Sequence, residues 1–169
     1  MEYVFDIETN GLNPDKIHCM VVENDHSYTA MGTMRAFLLI SAKSDDYLIG
    51  HNIIRYDIPV LERILDIKIK AKLVDTLALS WYLYPERNKH GLADWGEEFG
   101  IPKPVINDWE NLSPEEYLHR CKEDVRINTM LWEKQKAYLT ELYGVDGYWD
   151  LINHLMQVRH SRLRLGCSV

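Results

Sequence analysis

The segment Tyr3-Val4-Phe5-Asp6-Ile7-Glu8 constrains the fold more than any other stretch of the chain. A near-continuous apolar run describes a strand covered on both faces, which places it inside a sheet with further layers on either side. Asp6 and Glu8 interrupt that run. Residues i and i+2 of a strand share one face, so the two carboxylates stand side by side. Anions this close repel and are costly to desolvate, and ordinarily one would take up a proton. A divalent cation removes the conflict, because oxygen ligands suit magnesium or manganese. The plainer alternative is an edge strand with its acids in water, and one D-x-E pair does not decide between the two.

The pattern downstream supplies the other layers. Segments 16–24 and 26–30 read as strands joined at Asn24-Asp25, a hairpin. Segment 34–42 has helical character, and 46–52 is an apolar strand ending in polar residues. Pro59 stands at the start of a helix that runs to Leu65, a position where proline is tolerated. A fifth strand over 71–76 leads into a helix over 77–84 that Pro85 ends. A short helix closes on Gly100. Ser113-Pro114-Glu115-Glu116 is a capping box, and the long helix it opens is expected to reach Tyr143 and stop at Gly144. Three strands at the front, then strands alternating with helices, predict an α/β domain with a mixed five-stranded sheet flanked by helices.

Composition bounds the function. A chain of 169 residues can bury a core as one domain, and net charge −7 argues against coating duplex nucleic acid by bulk electrostatics. It leaves room for an enzyme that meets phosphates through bound cations, which reverse the local charge. No run is apolar and long enough to span a membrane, and the acidic N-terminus is not a signal peptide. Cys19, Cys121 and Cys167 lack C-x-x-C spacing, which predicts free thiols and a cytoplasmic setting.

Two more acids complete a pattern. Asp57 lies just past the end of the fourth predicted strand, where open α/β sheets bind ligands. Asp124 lies on the long helix beside the stripe Leu118, Cys121, Val125, Asn128 and Leu131, at the margin of the face that packs on the sheet. The ordered set "FDIETNGL", "HNIIRYD" and "CKEDV" resembles the three motifs of the DEDD 3′→5′ exonucleases of the RNase H-like superfamily. The similarity is greatest to the proofreading domain of phage A-family DNA polymerases, and "LVDTLALS" and "KHGLADWG" are similar to segments of that branch. The resemblance covers about Tyr3 to Leu139.

It implies an RNase H-like three-layer fold and a site in which Asp6, Glu8, Asp57 and Asp124 hold two divalent cations, Mg or Mn. It implies hydrolysis of single-stranded or frayed DNA 3′ ends during replication, in the host cytoplasm if the chain is phage-encoded. Thr9, Leu12, Asn52 and Tyr56 match positions that hold the terminal nucleotide. Each has a plainer role too: turn chemistry, loop packing, a turn cap, core. His90 reads as a capping or packing residue. Lys68, Lys70 and Lys72 read as guards of an edge strand or as phosphate contacts.

The family's general base is either Tyr four residues before the last Asp or His five before it. Arg120 stands at the first position and stays protonated. His119 stands at the second and is the expected base, with an ordinary pKa of ~6.5. An unbroken helix would turn His119 about 140° away from Asp124, while Tyr117 shares Asp124's face about 10 Å along the axis. The expectation therefore requires an interruption near His119, a displaced base or weakened hydrolysis.

The expected division is a nuclease domain over 1–144 and a helical tail over 145–169 that could begin a polymerase domain; the competing view is a free-standing exonuclease whose tail caps its own core. Leu151, Leu155, Val158 and Leu163 are its expected apolar stripe, and Arg159, Arg162 and Arg164 either meet DNA or solvate the helix. RNA or short oligonucleotides as substrates, and a weakened module that grips 3′ ends for a polymerase in the same or another chain, are the competing functions.

Overall fold

The first strand takes the interior position its apolar run demands. The computed structural model describes residues 1–24, 26–101 and 111–166. Strand β1 (Glu2–Thr9) lies at the centre of a mixed sheet of five strands. It pairs antiparallel with β2 (Ile17–Val22) and parallel with β4 (Tyr47–Gly50). The edges are β3 (His26–Tyr28), beside β2, and β5 (Lys72–Asp75), parallel to β4. Between β2 and β3, Asn24 has a left-handed φ of 68°, as a tight turn requires; its partner in the expected turn, Asp25, lies outside the described residues.

Alternation along β1 sorts its side chains between two layers. On one face Tyr3 meets the ring of Phe37 edge-on at 5.3 Å. Phe37 belongs to a π-helical turn (Phe37–Ser41) that prolongs helix α1 (Met31–Ala36). On the other face Glu2 accepts from the indole N–H of Trp132 at 2.9 Å and pairs with Lys136 at 3.2 Å. Those residues lie on helix α5 (Pro114–Tyr143), so the even-numbered side chains of β1, Asp6 and Glu8 among them, face this helix.

Helix α5 begins and ends where its signals predict. Ser113 Oγ accepts from the amide of Glu116 at 3.2 Å, Pro114 occupies the first turn, and Gly144 closes the helix at φ 76°. It is continuous through His119, which removes the interruption that the histidine expectation required.

Helices α2 (Asp57–Leu65), α3 (Thr76–Leu83) and α4 (Leu92–Glu98) follow the predicted order. Buried polar side chains join them. Trp95 donates to Ser80 Oγ at 3.0 Å, and Ser80 lies 2.7 Å from Nδ1 of His90. Nε2 of His90 lies 3.1 Å from the Arg87 carbonyl, which can only accept. The carbonyl therefore fixes the proton on Nε2, and Ser80 donates to Nδ1. His90 is a buried packing residue, as expected. Lys68, Lys70 and Lys72 lie on or before edge strand β5; Lys68 and Lys70 are exposed, and Lys72 sits over the Tyr47 ring at 5.4 Å.

The C-terminal segment corrects the expected stripe in part: Leu151, Leu155 and Leu163 are half-buried against the core, but the deeply buried line is the adjoining one. Helix α6 (Tyr148–Arg164) buries Tyr148, Ile152, Met156 and Arg159, the line next to the predicted Leu151-Leu155-Val158 line. Val158 is 39 % exposed. Trp149 stacks on Tyr47 at 4.2 Å and ties the start of the helix to β4. Arg159, expected in solvent or on DNA, is buried, and its Nε donates to the fully buried Asp75 at 3.2 Å. Cys19 and Cys121 are buried thiols, while Cys167 lies outside the described residues. Among the described residues no helix is long and apolar enough to cross a membrane.

Candidate metal centre

The site forms where β1 outruns its neighbour. Parallel pairing of β1 with β4 ends at Val4 opposite Ile49, so Asp6 and Glu8 project beyond the carboxyl end of β4. The crevice outside the carboxyl ends of parallel strands is where α/β sheets place ligands. From the end of β4 the chain turns through residues 51–56, with Asn52 at a left-handed φ of 63°, and delivers Asp57 to the first turn of α2.

Helix α5 supplies the third acid. Ligand oxygens of Asp6, Glu8 and Asp124 all lie within 4.8 Å of one another, drawn from positions far apart in sequence. Cys121, one turn earlier on α5, donates its thiol to the Asp6 carbonyl at 3.3 Å and lies 3.6 Å from Asp6 Oδ2, which fixes the helix against the strand. Burial and the neighbouring Cys19, Asp6 and Glu8 hold the Cys121 thiol well above its usual range, so it stays protonated. Three carboxylates at this spacing form an all-oxygen donor set, which fits a hard divalent cation.

Asp57 is outside that set of three but close to it. Burial, then the charge of Asp75, then that of Glu8 push its carboxyl up to about 8, against opposing hydrogen bonds from its own amide and that of Ile7. The sign follows from linkage. A carboxyl with a native pKa above its unfolded value of ~3.9 favours the fold fully below that value, and this contribution is lost as pH rises from ~4 through ~8. Without metal, urea unfolding is expected to show stability falling over that window, and Asp57→Asn to flatten the fall. Magnesium affinity measured calorimetrically is expected to rise with pH to ~8 with protons released, since a cation and a proton compete for the carboxylate. A magnesium affinity independent of pH would contradict this account of Asp57.

Arg120 reaches the same place. Its Nε lies 3.6 Å from Glu8 Oε1, with both side chains about one-eighth exposed. Four residues before Asp124, it shares that residue's face of the helix. His119 is exposed and borders a groove with Glu23, Asn24, Lys122, Glu123 and Arg126 instead of the acids. Tyr117 is buried against His18, ring on ring at 4.0 Å.

Of the four predicted substrate residues, Thr9 and Tyr56 are in contact. The Tyr56 hydroxyl donates to the Gly11 carbonyl at 2.6 Å and lies 2.6 Å from Thr9 Oγ1, joining the loop after β1 to the turn after β4. Asn10 Oδ1 accepts from the amides of Asp15 and Lys16, closing the first loop. Leu12 at its tip is 95 % exposed, which excludes loop packing as its role.

Asp75 was not singled out from sequence, and Arg159 was expected in solvent or on DNA instead of in the interior. The Asp75 carboxylate caps α3 by accepting from Leu77 and Ala78, and it accepts from the amides of Asn52 and Ile54 and from Arg159. Asp before an apolar helical run was a legible N-cap signal. For Arg159 the legible signal was its phase, in line with Tyr148, Ile152 and Met156.

The chain has the RNase H-like α/β fold, with its five-stranded mixed sheet flanked by helices, and solved nucleases share it. A structure described as the apo form of a nuclease superposes with a TM-score of 0.70 at 20 % identity, covering 98 % of this chain and 85 % of that one. Brucella melitensis NrnC with bound Mg2+ superposes at 0.68 and 17 % identity, covering 96 % and 85 %. The same enzyme bound to pGG gives 0.69 at 17 % identity, with the same coverage. At these identities the likeness is one of fold. No protein-family model and no curated protein matches the sequence.

Proposed function

We propose that this chain is a divalent-metal-dependent 3′→5′ exonuclease that removes nucleotides from single-stranded or frayed DNA ends. The observation that carries the reading is the convergence of Asp6 and Glu8 from β1 with Asp124 from α5. The shared fold with nucleases, one of them solved with Mg2+, supports it.

In this reading Asp6, Glu8 and Asp124 hold one cation, and Asp57, beside Glu8, serves a second. Bound there, divalent ions supply an acidified water and positive charge against the developing charge on the phosphate. Thr9, Leu12, Asn52 and Tyr56 hold the terminal nucleotide, with Tyr56 fixed through its hydroxyl and Leu12 free to meet a base. Arg120 stays protonated and cannot take a proton from water. Its place beside Glu8 gives it an electrostatic role at the scissile phosphate.

His119 is not turned toward the acids by the continuous helix. Turnover of His119→Ala is expected within about threefold of the parent, and a fall of ~10²–10⁴-fold would restore histidine as the base. We also place α6 inside the nuclease domain instead of at the start of a polymerase domain, because it packs on β4 and β5 and buries Arg159.

The deciding assay incubates a 5′-labelled oligonucleotide with magnesium or manganese, and again with EDTA. A ladder of shortened products absent in EDTA is the expected result; intact strands in both would leave a module that only binds 3′ ends. A second reading, hydrolysis of short RNA oligonucleotides, is favoured by one observation, the superposition on NrnC bound to pGG. DNA, RNA and dinucleotide substrates run in parallel separate the two.

A further inference from the structure

The buried end of α6 bears on how the site meets its substrate. Arg159 donates to two partners: Nε to Asp75 Oδ2 at 3.2 Å, and Nη2 to Asn52 Oδ1 at 2.9 Å. A guanidinium has donors only, so the group of Asn52 turned toward it must be the amide oxygen. The backbone of Asn52 is held as well. Its N–H donates to Asp75 Oδ1 at 2.9 Å, and its carbonyl accepts from Tyr56 N at 3.1 Å. What remains is the side-chain NH2, which has no protein partner among the described residues, on a half-buried residue. The same short turn carries Tyr56 and delivers Asp57, so this donor pair borders the site.

We propose that Arg159 is a positioning residue that locks the Asn52 amide with its N–H face toward the substrate. Asn52 then donates to a phosphodiester oxygen of the bound strand, and the C-terminal helix is a working part of the site. This deepens the exonuclease reading and rests on it. Phosphate fits better than a base edge, because a 3′→5′ exonuclease must hold every sequence alike, and phosphate oxygens are acceptors at every step.

Asn52→Asp provides the test. Aspartate tolerates the left-handed backbone, and its carboxylate still accepts from Arg159, so the fold is retained. The outward donors become an acceptor carrying negative charge. Three readouts are compared on the full chain: the melting temperature, the Kd for a fluorescent oligothymidylate with calcium replacing magnesium, and KM against kcat in magnesium. Asn52→Asp is expected to melt near the parent temperature, attraction to Arg159 offsetting repulsion from Asp75, with Kd and KM raised at least ~10-fold and kcat little changed. Asn52→Ala, which loses the donor without adding charge, is expected to give Kd and KM between the two, and to melt below both because alanine is strained at φ 63° and cannot accept from Arg159.

The penalty is expected to persist on an abasic strand of the same length; its disappearance there would overturn the phosphate assignment. Arg159→Lys keeps a charge beside Asp75 but not the fork, and is expected to raise KM more than it lowers kcat. A lowered melting temperature with unchanged KM would make Arg159 purely structural. Equal binding by Asn52→Asp and the parent would overturn the inference and leave the nuclease reading standing. A parent that neither binds nor shortens the strand would sink both.

Discussion

Asp124→Asn is expected to lower metal-dependent shortening of a labelled strand by at least ~100-fold, while leaving the melting temperature in EDTA unchanged or higher. The size follows from position. Replacing groups that merely orient metal ligands costs ~10–100-fold in affinity or activity, so losing a ligand sets that range as the floor. The direction of the stability effect follows from charge. Asp124 is buried, and its ligand oxygen lies within 4.8 Å of those of Asp6 and Glu8, so three like charges crowd one place that the Arg120 guanidinium beside Glu8 offsets only in part when metal is removed. Asparagine keeps the shape and removes one of those charges. Calorimetric titration with magnesium should show the lost affinity directly. Hydrolysis within threefold of the parent, with magnesium binding intact, would mean that the cluster is not the metal site.

Arg159→Met is expected to destabilise the fold by about 3–5 kcal/mol, because breaking a buried pair leaves an uncompensated charge. For a domain of this size that is a fall on the order of 10 °C in melting temperature. Asp75 is fully buried and accepts from four backbone amides, which lower the cost of its charge but do not cancel it. The exposed Arg164, one turn and a half further on, is the control; Arg164→Met should change stability by less than ~0.5 kcal/mol. The double variant Asp75→Asn/Arg159→Met should lose less than the sum of the single losses, since each removes the other's reason for cost. Equal melting temperatures for the Arg159 and Arg164 variants would show that no buried ion pair forms.

Much of the fold was legible because its signals are local. The apolar run of β1, the capping box at Ser113 and the stop at Gly144 each act within a few residues, and each stands where expected. The four acids were legible as an ordered set, and Asp124 could be phased onto the sheet-facing margin of α5 from helical periodicity alone. Thr9, Leu12 and Tyr56 were legible as neighbours in motifs, but not the hydroxyl contact that joins the two loops.

By itself, then, the sequence determined the order of strands and helices, the interior place of β1 and the pairing of two acids on one face, because backbone periodicity and capping depend on adjacent residues. Only the tertiary structure decided which line of α6 is buried most deeply. Two adjoining lines of that helix satisfy the same period and both pack on the core, and the deeper is the one carrying Arg159, whose partner Asp75 is 84 residues away. It likewise decided that His119 faces a groove and Arg120 faces Glu8, since an unbroken helix fixes the angle between neighbouring side chains and the docking of that helix fixes where each one points.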